Sequence, residues 1–171
     1  MPDHPLDDAL REWLPRLRRF ALWLTRETSS ADDLVQATLE RALSRWSSRR
    51  EDASLRSWLF AILYRQFLDG RRRAQRHAWL LGRLRAEEEP QAPSAEREAM
   101  AHSMLQAFGR LSAEQRSLLL WVTVEGLSYQ EVAQILDVPI GTVMSRLSRA
   151  RAALRRLGDG ETTIVPLRVL K

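Results

Sequence analysis

Apolar residues recur at three- and four-residue steps through most of the chain, the spacing of one helical face. From Leu10 to Leu24 that face holds Leu10, Trp13, Leu14, Leu17, Phe20, Ala21 and Leu24. Ser29 and Ser30 then offer an N-cap. Asp32 and Asp33 fall in the first turn of the helix they open, where the helix dipole favours carboxylates. Leu34, Val35, Thr38, Leu39, Ala42 and Leu43 carry this second helix. A polar loop from Ser47 to Ala53 leads to a third long helix, from about Ser54 to Arg76, that begins apolar and ends in Arg71, Arg72, Arg73 and Arg76.

The pattern breaks between Ala78 and Glu98. A short apolar patch gives way to Glu87, Glu88 and Glu89, then to Pro90 and Pro93, which cannot both sit inside a stable helix. A flexible linker is predicted over 78–98. Helical spacing resumes from Ala99 to Phe108. Ser112 with Gln115, and Ser128 with Glu131, have the spacing of capping boxes and open two further helices. Gly126 closes the first of these. The second runs to about Leu136, and a turn through Asp137, Val138, Pro139, Ile140 and Gly141 follows. Thr142 is placed as the cap of a last helix reaching about Leu157, and an apolar tail covers Thr162 to Val169. The prediction is an all-α chain with two small helical domains, at 6–77 and 99–158, and a C-terminal tail at 159–171.

Composition narrows the chemistry. Cysteine is absent, which excludes disulfides and thiolate metal sites. No run of apolar residues is long enough to span a bilayer, and the first residues lack the basic start of a secretory signal, so a cytoplasmic location is expected. Lys171 is the only lysine among 27 basic residues, and the net charge is +5. Arginine bonds phosphates and guanine edges bidentately, which suits nucleic acid; a GC-rich genome would produce the same bias. His4, His77 and His102 are scattered with no metal-ligand spacing. Asp32 and Asp33 diverge by about 100° on a helix and do not converge on one substrate. With no Gly-rich phosphate loop and no nucleophile elbow, neither an enzyme nor a cofactor is expected.

Two short helices joined by a tight turn form a helix-turn-helix, whose second helix enters the major groove. In its first helix, Val132, Ala133, Ile135 and Leu136 supply the buried side. In its second, Val143, Leu147, Ala150 and Leu154 form a narrow apolar stripe, leaving Met144, Ser145, Ser148, Arg149 and Arg151 free, with Arg146 on the flank. Arginine and hydroxyl side chains at these positions suit bases and phosphates. The runs EGLSYQEVAQIL and PIGTVMSRLSRAR closely resemble region four of the extracytoplasmic-function (ECF) sigma factors. The resemblance implies a domain that reads the minus-thirty-five promoter element and docks on the flap of the polymerase beta subunit. It assigns contacts to Thr142, Met144, Ser145, Arg146, Ser148 and Arg149. Met144 stands where the family commonly has Lys or Arg; methionine cannot donate a hydrogen bond, though it can meet a thymine methyl group.

In the third helix, Leu55, Trp58, Leu59, Ile62 and Leu63 form a stripe, with Phe60, Tyr64 and Phe67 beside it and Arg56 between. Such rings either widen the core or hold unstacked bases, and periodicity alone favours the core. The basic end of the helix suits phosphates. The runs ADDLVQATLERALSRW and SLRSWLFAILYRQFLDGRRR resemble region two of the same family, which clamps the beta-prime subunit and melts the minus-ten element. That resemblance implies polymerase contacts from Asp33, Leu34, Val35, Gln36, Leu39 and Arg41. It implies strand contacts from Arg56, Phe60, Tyr64, Arg65, Arg71 and Arg72, and from the loop at 46–53. Tyr64 and Arg65 replace a common Arg-Asn pair, which points to an unusual minus-ten preference.

The resemblance covers nearly the whole chain and implies an ECF sigma factor. Its partners would be core RNA polymerase, promoter DNA and an anti-sigma factor, with no membrane insertion. Two other readings are a sigma-like decoy that sequesters an anti-sigma factor and a helix-turn-helix repressor acting without polymerase.

Overall fold

A computed structural model describes residues 5–49, 54–80 and 99–159 of the chain. Among these residues there are seven α-helices, one 3-10 turn and no strand. Helix α1 spans Pro5–Thr25, α2 Thr28–Ser44 and α3 Leu55–Leu80, with the 3-10 turn at Trp46–Ser48. Then come α4 at Ala99–Gly109, α5 at Ala113–Thr123, α6 at Tyr129–Leu136 and α7 at Ile140–Asp159.

The second helix starts earlier than its serines predict. Glu27 is the N-cap, and its carboxylate accepts from the backbone N–H groups of Ser29 and Ser30 at 3.0 and 2.7 Å. A carboxylate reaches two orphan donors at once, which a serine hydroxyl cannot do, so Ser29 and Ser30 become first-turn residues. Asp32 is spent elsewhere, on Arg18 of α1 at 2.7 Å. Hydrogen bonds from Ser29 and Ser30 hold the Glu27 carboxyl at about 2, against an ordinary value near 4.5. A depressed carboxylate stabilises the fold above its unfolded pKa and loses that contribution as pH falls through the folded value. Glu27→Ala should therefore lower the melting temperature at pH 7, and the deficit should vanish near pH 2. An equal deficit at both pH values, followed by circular dichroism, would show that the cap is not electrostatic.

Helix α3 continues to Leu80 and takes in the first residues of the predicted linker. The remainder of that linker (81–98), the loop at 50–53 and the tail from 160 onward lie outside the described residues. The first three helices pack as one body around Leu17, Ala21, Leu24, Ala31, Val35, Ala42, Leu59 and Leu63. Pro15 sits inside α1 on its exposed side, where water can reach the Arg11 carbonyl that it leaves without a helical donor.

Both predicted capping boxes form. Ser112 and Gln115 open α5, and Ser128 and Glu131 open α6, each pair bonding reciprocally. Helix α5 ends at Thr123; Gly126, with φ +65°, turns the chain toward α6. Arg116 is buried and donates to the carbonyls of Gly109 and Leu111, which fixes the turn between α4 and α5. Leu118, Val132, Val143, Leu147 and Ala150 form the core of this second body.

The two bodies share a wall of aromatic rings. Trp121 of α5 stacks on Phe20 of α1 at 5.3 Å and meets the edge of Tyr64 of α3 at 5.0 Å. Phe60 packs edge-on against Phe20 at 5.1 Å, and Trp23 does the same with Phe108 of α4. The halves separated by the linker are therefore packed face to face.

Candidate nucleic-acid interface

The turn between α6 and α7 is shorter than its sequence suggests. Asp137 adopts the left-handed conformation at φ 54° and its N–H returns to the Ala133 carbonyl, which ends α6. Only Asp137, Val138 and Pro139 remain between the helices. Ile140 and Gly141 lie inside α7, and Thr142 is in its first turn rather than ahead of it. Thr142 and Val143 donate their N–H groups to the Pro139 carbonyl. Pro139 thus sits one residue ahead of α7, where its carbonyl accepts the first helical bonds and its missing N–H removes no bond within the helix.

The predicted stripe of α7 is buried: Val143, Leu147 and Ala150 are almost wholly inaccessible, and Leu154 is half-buried. The opposite face carries Met144, Ser145, Ser148, Arg149 and Arg151, all exposed. The Ser145 hydroxyl donates to the Thr142 carbonyl, and Arg149 makes a long contact to the Ser145 carbonyl at 3.4 Å, leaving its other guanidinium donors outward. Arg146 is different. It is half-buried and bonds Glu114 of α5 at 2.6 Å, so it ties the helix to its support rather than presenting a free fork.

The polymerase-facing assignment divides along α2. Asp33, Gln36 and Arg41 are exposed, and Leu34 and Leu39 are half-buried. Val35 lies in the core at 5% exposure and presents nothing outward. Leu43, absent from the predicted set, is 48% exposed and continues the face of Asp33, Gln36 and Glu40 by one more turn. Its exposure was not visible in the sequence, because periodicity counts it toward the core stripe.

On α3 the strand-facing set splits in two. Arg65 and Arg72 are exposed, and Arg71 lies half-buried over the Phe67 ring at 5.8 Å. Phe60 has no exposed surface and Tyr64 has 6%. Both rings are in the wall shared by the two bodies, so in this arrangement neither can take a stacked base. Burial, with Glu114 nearby, pushes the Tyr64 phenol up, opposed by Ser117, Arg146 and Arg71.

Arg56 is held across the same interface. Its Nη2 donates to both carboxylate oxygens of Glu131 on α6, at 2.9 and 3.0 Å, and its Nη1 to the Glu125 carbonyl at 3.2 Å. Ser57 adds a hydroxyl bond to Glu131 at 3.0 Å. Burial pushes the Glu131 carboxyl up, but Arg56, Ser128 and Ser57 outweigh it and hold it at about 2. Sequence reasoning read Glu131 as a cap alone.

At the other end of the first body, Trp46 in the 3-10 turn meets Trp58 edge-on at 5.9 Å, with Arg49 over its ring at 5.1 Å. Both rings are half-buried, so an aromatic pair with a cation sits at the described edge of the predicted base-capturing loop.

Comparison with known proteins follows the same division. A family model described as the sigma2 domain of PhyR matches residues 10–64, and one described as Sigma-70, region 4 matches residues 101–154. The ECF RNA polymerase sigma factor EcfG of Rhodopseudomonas palustris (strain TIE-1) is 34% identical over 157 residues, covering 90% of this chain and 87% of that one. The ECF RNA polymerase sigma factor SigM of Mycobacterium tuberculosis (strain ATCC 25618 / H37Rv) is 35% identical, covering 90% and 77%. A chain in the co-crystal structure of the sigma factor RpoE with the anti-sigma factor NepR from Bartonella quintana superimposes with a TM-score of 0.77. Its identity is 32%, over 91% of this chain and 97% of that one. With a capped helix-turn-helix in one half, a region-two helical body in the other and this level of identity along nearly all its length, the chain belongs to the ECF group of RNA polymerase sigma factors.

Proposed function

We propose that this sigma factor directs core RNA polymerase to promoters whose minus-thirty-five element is read by α7 and whose minus-ten element is opened against α3. The observation that carries this reading is the exposed face of α7, where Met144, Ser145, Ser148 and Arg149 stand over the buried Val143, Leu147 and Ala150 on a helix-turn-helix braced by a capping box. Hydroxyls and a guanidinium at the start of such a helix suit base edges and phosphates. The face of α2 built from Asp33, Gln36, Arg41 and Leu43 is polar with an apolar end, as suits docking on the beta-prime clamp. Arg65, Arg71 and Arg72 supply the field that holds a phosphate backbone. Thr142 joins the α7 set through the helix N-terminus, and Arg146 acts by bracing. The chain works by binding and carries out no reaction of its own. An anti-sigma factor is its expected regulator, as NepR is found in complex with the similar RpoE.

Transcription with purified core polymerase tests the reading. The chain should confer initiation at a discrete set of start sites, and their upstream sequences should share two elements. No promoter-dependent initiation would overturn it. Within that assay, Met144→Arg should shift one minus-thirty-five position from thymine toward guanine, because a guanidinium bonds guanine edges and a thioether does not. Unchanged start-site sequences would remove Met144 from the reading face.

A further inference from the structure

Holding an unpaired base takes a ring as well as charge, and the rings beside the core stripe of α3 are committed elsewhere. Phe60 and Tyr64 are buried, and Phe67 is half-buried. Every other aromatic ring in the chain is also buried or half-buried, with one exception. Trp79, near the end of α3, is 79% exposed.

Its place on the helix gives it a use. At 100° per residue, Arg65, Arg72, Arg76 and Trp79 fall within about 60° of one another. They form one stripe, about 21 Å long at a rise of about 1.5 Å per residue. All four are exposed. Asp69, the only acid on α3, stands in the same stripe, 3.8 Å from Arg72. At that distance, and with both side chains more than half exposed, it holds the guanidinium weakly. Arg76 gives its Nε to the Arg72 carbonyl at 3.3 Å, which steadies the stem and leaves both Nη groups for another acceptor. Asp69, Arg72, Gln75, Arg76 and Trp79 border one shallow hollow, so the ring and two guanidiniums face the same space.

The charge of this surface decides what it fits. Guanidiniums spaced along one helix face match the phosphates of a nucleic-acid strand. A ring at the end of such a row offers a flat face to a base that has left its stack. The bases of a duplex are stacked on one another and have no face to give, so the fit is to an unpaired strand.

We infer that Trp79 is a stacking residue of the minus-ten interface: it holds one unpaired base of the strand whose phosphates lie along Arg65, Arg72 and Arg76. This rests on the reading of α3 as strand-facing. It moves base capture on this helix from Phe60 and Tyr64 to the far end of α3.

The test uses the full chain assembled with core polymerase, unchanged and as Trp79→Ala, Trp79→Phe and Arg76→Ala. Each holoenzyme is titrated, over a range of salt, onto a labelled promoter fragment left unpaired across the minus-ten element. Affinity for core polymerase and the helicity of the free chain are measured alongside. Trp79→Ala should bind the fragment about tenfold more weakly, with the slope of affinity against salt unchanged, because stacking releases no counterion. Trp79→Phe should recover most of the loss. Arg76→Ala should reduce the slope by about one. When the unpaired strand is scanned by abasic substitution, the Trp79→Ala loss should vanish at a single position, that of the base the indole holds. A loss that no abasic position removes, or one that appears in affinity for core polymerase, would show a protein contact and overturn the inference. Undiminished binding or lowered helicity in Trp79→Ala would overturn it too, as would a phenylalanine no better than alanine. If the unchanged holoenzyme selects no promoter at all, the reading of α3 fails first and this inference with it.

Discussion

Phe60→Ala should cost about 3–5 kcal/mol of unfolding free energy, the range for truncating a fully buried ring. Phe60 has no exposed surface and meets the edge of Phe20, which in turn stacks on Trp121. Removing it leaves a cavity where three helices meet, and neighbouring rings cannot close over it without giving up their own contacts. Native domains are stable by only about 5–15 kcal/mol in total, so the variant should unfold at much lower urea than the unchanged chain. Equilibrium unfolding followed by tryptophan fluorescence measures this directly, since Trp121 reports on the same wall. A Phe60→Ala chain that keeps its stability and loses only promoter opening would mean that the ring serves a base and not the core. Tyr64→Ala should behave in the same way but more mildly, because Tyr64 keeps a small exposed edge.

Arg149→Ala should weaken recognition of the minus-thirty-five element by about 1–3 kcal/mol if its guanidinium is bidentate to a base, and relax the choice at one position. The loss should fall on that position alone. A phosphate contact would instead weaken all promoters alike and reduce the slope of affinity against salt by about one. Promoter binding by the reconstituted polymerase, compared across single-base variants at two salt concentrations, separates the two outcomes. Arg146→Ala should act differently from Arg149→Ala. Its partner is Glu114 of α5, so its loss should loosen the seating of α7, at about 1 kcal/mol or less for a pair this exposed, and leave base preference unchanged.

These outcomes follow from a division between what was local and what was not. Both capping boxes, the buried stripe of α7 and its free polar face were legible in the sequence. Each is a relation between residues three or four apart, where backbone geometry leaves few alternatives. The boundaries that moved are also local, and each has a stronger competitor. Glu27 displaced Ser29 and Ser30 because a carboxylate satisfies two donors, and Asp137 ended α6 in a left-handed turn that let α7 begin at Ile140.

What periodicity could not decide was the cover on each apolar face. A stripe on α3 sets Phe60 and Tyr64 beside the core and favours their burial, but it does not say which surface covers them. The neighbour is Trp121, in the other half of the chain, and the Arg56–Glu131 bond joins residues separated by 75 positions. The helices, both capping boxes and the exposed polar face of α7 were determined by the sequence alone, through interactions between residues a turn apart. The tertiary structure alone decided that Arg56, Phe60 and Tyr64 face inward and that Glu131 serves both a cap and a guanidinium. Such pairings depend on which surfaces the chain brings together, and nothing in a residue's own neighbourhood specifies that.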